Sequence, residues 1–194
     1  MFEISECQVL TRQMNDAIAG KVVQTGKLSN SPHKFVWHNL SHQDFAAQTA
    51  GKTIGQARAL GRWMLIPFEP GYVMVIGEWG GKLQFLPAGT PALSKYHFLV
   101  TFTDDSMLFG LTQMWGAAEL YPAGQEQERQ YIKDARPNSL DDAFTFGYFT
   151  QLIDELLRGA KRSVKSLLTQ DQLIPGLGNS VAQDIMFRAG LHPR

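Results

Sequence analysis

A single cysteine, Cys7, stands among 194 residues, so neither a disulfide nor a cysteine-based zinc finger can form within this chain. Surplus charge is missing as well. The 18 lysines and arginines balance 18 aspartates and glutamates, whereas a dedicated nucleic-acid binder usually carries a basic excess. No apolar run approaches the length of a bilayer span, and the start MFEISECQ has neither the basic opening nor the apolar centre of a secretion signal. The expectation is a soluble, cytoplasmic protein. Internal repeats and low-complexity tracts are also absent, while a 44% hydrophobic content can build the core of one large or two small domains.

From Ser5 to Gly20, the residues Cys7, Leu10, Met14, Ala17 and Ile18 recur at helical spacing and predict one leading amphipathic helix. Strand-like runs follow at 21–27, 34–38, 62–69, 72–77, 82–86, 95–103 and 107–112. The turn sequences Glu69-Pro70-Gly71 and Asp104-Asp105-Ser106 predict antiparallel hairpins, and the whole reads as a sandwich or barrel. Between Tyr121 and Ser139 the chain turns polar and proline-bearing, as a linker does, which sets a boundary near Pro137 and domains at 1–136 and 137–194. The fold class is α+β, an antiparallel β-sandwich with a leading helix followed by helices. Phe149, Leu152, Ile153 and Leu156 form the first helical stripe after the boundary, ending near Gly159.

The stretch 165–193, KSLLTQDQLIPGLGNSVAQDIMFRAGLHP, predicts two helices around a glycine turn. Ser163 caps the first, whose buried face holds Val164, Leu167 and Leu168, and Pro175-Gly176 stops it. Gly178 permits a left-handed backbone angle, and Asn179 caps a second helix carrying Val181, Ile185 and Met186 and ending at Gly190. Outward-pointing amides at Asn179 and its neighbours would make an anion site, with the basic run 158–165 (RGAKRSVK) beside it. An ordinary helical hairpin and a solvated helix end account for the same residues without any ligand.

The wording GLGNSVAQDIMFRAGLHP closely resembles the helix–two-turn–helix signature of the formamidopyrimidine-DNA glycosylase and endonuclease VIII family. That resemblance implies a partner, double-stranded DNA carrying damage, and an activity, base excision with abasic-site cleavage. It also implies that Lys165 and Asn179, with Gly178 in the turn, hold the phosphates flanking the damaged nucleotide. The family's N-terminal Pro-Glu nucleophile site appears as Met1-Phe2-Glu3, with Phe2 in place of the proline. Glu3 is then the implied proton carrier, and the α-amine of Met1 or Phe2 the candidate nucleophile. Met1 is expected to be retained, because the processing aminopeptidase tolerates only small second residues.

Further motifs follow by resemblance. Gly61-Arg62-Trp63 stands where the family has Gly-Lys-Tyr, which makes Arg62 a phosphate contact that cannot serve as a base. Trp79 stands at the family's first base-flip wedge position, and Gln113 and Trp115 at the second and third. His97 matches one histidine of a strand motif and reads as structural. The family's zinc finger lies beyond its His-Pro, so no cofactor is expected within these residues. Three readings stay open: a glycosylase and lyase, a DNA-binding module without cleavage, and a fold reused for protein contacts.

Overall fold

The structure is a computed structural model that describes all residues except 32, 92, 158–162, 171–172 and 193–194, and the backbone alone at 156 and 157. Most of the basic run, the expected helix end at Gly159 and the final Pro193 therefore lie outside the described residues.

Helix α1 spans Ile4–Ile18, with Cys7, Met14 and Ile18 buried at the expected spacing and Thr11 added, its hydroxyl donating to the Cys7 carbonyl. The strands are β1 (Val23–Leu28), β2 (Val36–Trp37), β3 (Thr53–Ile54), β4 (Arg58–Leu60), β5 (Trp63–Glu69), β6 (Tyr72–Gly77), β7 (Gly81–Leu86), β8 (Phe98–Phe102), β9 (Met107–Thr112) and β10 (Gly116–Pro122). Helix α2 (His42–Thr49) lies between β2 and β3. A four-stranded sheet, β1-β8-β9-β7, faces a six-stranded path, β2-β10-β6-β5-β3, with β4 paired to β5. Both expected hairpins, β5–β6 and β8–β9, are antiparallel.

Alternation on β5 shows how the layers form. Met64, Ile66 and Phe68 face Phe98, Val100 and Phe102 of the other sheet in the central core, together with Cys7 and Met14 of α1. The opposite face of β5, Trp63 and Leu65, is covered by Ile132. That residue sits on α3 (Gln130–Lys133), inside the stretch read as a linker. The polar composition there reflects one turn of helix that gives the sheet only Ile132 and the ring of Tyr131, stacked on Trp63.

Several expectations change. Strands β3, β4 and β10 and helix α2 went unread: β10 (GAAELYP) is short of β-branched residues, β3 and β4 are two and three residues long, and α2 (HQDFAAQT) buries only Phe45 and Thr49. Strand β2 pairs with β10 in parallel, so the sandwich is not purely antiparallel. The remaining helices are α4 (Phe146–Leu157), α5 (Val164–Thr169) and α6 (Asn179–Arg188), around a second core of Leu152, Leu168, Ile174, Leu177, Ala182 and Met186. Ser163 does cap α5, accepting from the Ser166 amide at 3.1 Å. However, α5 ends at Thr169, well before Pro175. On α6, Ala182 is the buried partner of Met186, and Ile185 is 42% exposed.

Candidate functional site

Three consecutive N-terminal residues tie the sandwich to the helices. The Phe2 amide donates to the Trp79 carbonyl at 2.7 Å, and the Ile4 amide donates to the Gly176 carbonyl at 2.9 Å. Between them, the Glu3 carboxylate accepts from the amides of Ser180 (2.9 Å) and Val181 (3.2 Å), the first turn of α6. Glu3 also anchors its own helix, because its amide donates to Glu6 Oε2 at 2.8 Å. Its side chain thus fills the role of a helix cap from the far end of the sequence, at the positive end of the α6 dipole.

This corrects three readings of the turn. Gly178 is extended (φ −103°) and is itself the N-cap residue of α6, while Asn179 opens the helix proper. A Cβ on Gly178 would sit 2.3 Å from Glu3 Oε1, so glycine is needed there for close approach and not for a left-handed angle. The left-handed residue is Gly176, at φ +79°. Two of the amides expected to receive an external anion, those of Ser180 and Val181, are occupied by the protein's own carboxylate.

With Met1 in place, the Phe2 nitrogen is a peptide amide already hydrogen-bonded, which leaves Met1 as the amine. Met1 opens onto a cavity of about 640 Å³ shared with Trp37, Arg62, Glu78, Trp115 and Arg129. Its nitrogen packs on Gly80, where an added Cβ would come within 2.9 Å. Cys7 is no rival nucleophile, since burial first and Glu6 second push its thiol up to about 12. Among the described residues no group of three or more His, Cys, Asp or Glu could hold a metal ion.

Arg62 is held rather than free. Nη2 pairs with Glu78 Oε1 at 2.8 Å, Nη1 donates to Met1 Sδ at 3.1 Å, and Nε is buried without a partner among the described residues. A second arginine, Arg129, which sequence reasoning missed, lies 4.0 Å above the Trp63 ring and pairs with Glu119 at 2.5 Å.

The model of the formamidopyrimidine-DNA glycosylase N-terminal domain matches residues 1–113, more than half of this chain. The chain belongs to that family. A formamidopyrimidine-DNA glycosylase of Shewanella pealeana is 31% identical over 152 residues, 78% of this chain and 54% of the relative. The Bacillus subtilis enzyme of that name is 26% identical over 200 residues, covering all of this chain and 68% of the relative. The match to the Shewanella protein thus spans about half of that relative's length. Among solved structures, MutM bound to DNA containing carbocyclic 8-oxo-G superposes with a TM-score of 0.81 at 20% identity, covering 98% of this chain and 70% of that one. The Lactococcus lactis Fpg bound to DNA with an abasic site matches equally, with a TM-score of 0.81 at 20% identity and coverages of 98% and 69%. These agree on the fold, α+β with two sheets and a leading helix.

Set against the family's motifs, the site residues divide. Lys165 on α5 and Asn179 at the start of α6 are both exposed, on two helices that share the second core. Gln113 and Trp115 are exposed on the loop between β9 and β10, with Trp115 at 41%. Trp79 is not available as a wedge. It is 1% exposed in the central core, its Nε1 donating to the Lys82 carbonyl at 3.0 Å and its ring set edge-on to Phe98. A large ring packed on Gly110 of β9 and Gly116 of β10 fills the sandwich instead of leaving it. His97 is structural as expected: it is 2% exposed and its Nδ1 accepts the Thr112 amide at 3.1 Å.

Sequence reasoning also missed Trp37. The spacing of Phe35 and Trp37 was the available signal, since residues two apart on a strand share a face.

Proposed function

We propose that this protein binds damaged double-stranded DNA across the junction of sandwich and helices, and that the Met1 amine forms a Schiff base at abasic sites. The observation carrying the reading is the N-terminal strap: it puts Met1 at the wall of a cavity that Arg62 also lines, its nitrogen against Gly80, while Glu3 fastens the same strap to the helix that bears Asn179. Asn179 and Lys165 lie on the exposed surface of the helical unit, where family membership implies phosphate contacts. Support for DNA as partner also comes from the relatives, whose names state DNA glycosylases, and from the similar solved structures, which hold DNA.

The chemistry available to Met1 is that of a primary amine. Its lone pair attacks C1′ of the ring-opened abasic sugar, water leaves, and the protonated imine makes the C2′ proton acidic enough for elimination of the 3′ phosphate. A base must take that proton, and the family position assigns it to Glu3. In the structure both Glu3 oxygens already accept backbone amides, and this favours a second reading, DNA recognition without cleavage.

Borohydride trapping on abasic-site DNA, with mass spectrometry of the adduct, separates the two. A covalent link at the Met1 nitrogen is the expected result. Binding to the same DNA without a link would leave the recognition module, and absence of binding would remove both readings.

A further inference from the structure

Resting on that DNA-binding reading, we propose that Trp37 is the base-stacking residue of this protein and takes an unpaired nucleobase on its open ring face. Trp115 packs against both Phe35, at 4.5 Å between centroids, and Trp37, at 5.2 Å with planes only 20° apart. The ring at the third wedge position, 41% exposed, therefore has aromatic neighbours on two sides. Trp37 makes its one described ring contact with Trp115 and is still 43% exposed.

The platform is rigid, which a stacking surface requires. Strand β2 runs parallel to β10 with Trp37 opposite Ala117, and the Gly116 amide donates to the Phe35 carbonyl at 3.0 Å. Immediately after Trp37, His38 Nδ1 contacts the Ala118 carbonyl at 3.1 Å. Asn39 then exchanges two hydrogen bonds with the backbone of Leu120, at 2.8 and 2.9 Å. Every residue from 37 to 39 is thus tied to the edge of the sheet, so the indole is held in advance of any ligand.

Three features select a nucleobase as the occupant. Trp37, stacked on Trp115 with planes 20° apart, offers the flat aromatic face turned away from that ring, which matches a planar heterocycle with a π face. Lys34 lies over the neighbouring Phe35 ring at 4.7 Å, so a cation stands beside the aromatic cluster and can meet a phosphate. Finally, Trp37 and Trp115 line the same cavity as Met1, so a base leaving its stack near that amine meets these rings. An intact duplex keeps its bases stacked on each other, and only a base without a partner is free to transfer.

The test uses the full chain with two duplexes, one intact and one with an abasic-site analogue opposite 2-aminopurine, whose fluorescence falls on stacking. For Trp37→Ala, affinity for the abasic duplex is expected to drop at least about fivefold and the 2-aminopurine quenching to disappear. Affinity for the intact duplex should stay within about twofold, since phosphate contacts carry it. Trp37→Phe should recover most of both signals. Trp37→Ala protein that keeps its preference and its quenching overturns the inference while leaving DNA binding in place. Failure of the unaltered protein to bind either duplex overturns the inference together with the DNA reading.

Discussion

Glu3 is a side chain with two claims on it. As an acceptor for Ser180 and Val181 it holds the first turn of α6, and hydrogen bonds to a charged group contribute about 1.5 to 3 kcal/mol when fully formed. Partial solvent exposure of Glu3 reduces this, so Glu3→Ala is expected to lower stability by about 1 to 2 kcal/mol in urea titrations. Gly178→Ala should cost a similar amount by a different route, because the new Cβ would displace Glu3 Oε1 from 2.3 Å. If the two effects arise from one contact, the double variant loses little more than either single one. Full additivity would mean that the carboxylate is not the cap of α6.

At the scale of elements, α5 and α6 form one small core around Leu168, Ala182 and Met186, which leaves Lys165 and Asn179 on its outer surface. Lys165→Ala is expected to weaken DNA binding for all sequences and to reduce the slope of log affinity against log salt by about one. Asn179→Ala should weaken binding without changing that slope, because no charge is removed. Unchanged affinity in both would remove the phosphate contacts from the helical corner. Strand β10 matters equally, since it carries β2 and, through it, the Trp37 platform on one edge. Its sequence, GAAELYP, gave little sign of a strand because alanine and glycine have low β preference; the pairing with β6 supplies what the local residues do not.

For the molecule as a whole, one buried histidine, His97, and one half-buried, His38, contribute to the response to acid. Burial lowers the pKa of both His38 and His97, and neighbouring histidines add to it. Below the ordinary value of 6.5 the unfolded chain therefore binds more protons than the folded one. Stability from these groups is complete above that value and declines as pH falls through it. Urea midpoints should drop between about pH 6.5 and 5, and His97→Asn, which can still accept the Thr112 amide, should flatten that drop. A drop of equal steepness in the variant would show that His97 does not contribute.

The sequence by itself determined α1, both hairpins, the Ser163 cap, the helical corner and the family, because each is written in residues close together along the chain. Periodicity and turn chemistry act over a few positions, and so does a motif. What only the tertiary structure decided lies in pairs far apart in sequence. Glu3 reaches Ser180, Arg62 reaches Glu78 and Met1, and Trp115 reaches Phe35 and Trp37. Trp79, in the turn between β6 and β7, went to the core and Trp37, on β2, to the surface, because what covers each ring is set by elements distant in sequence.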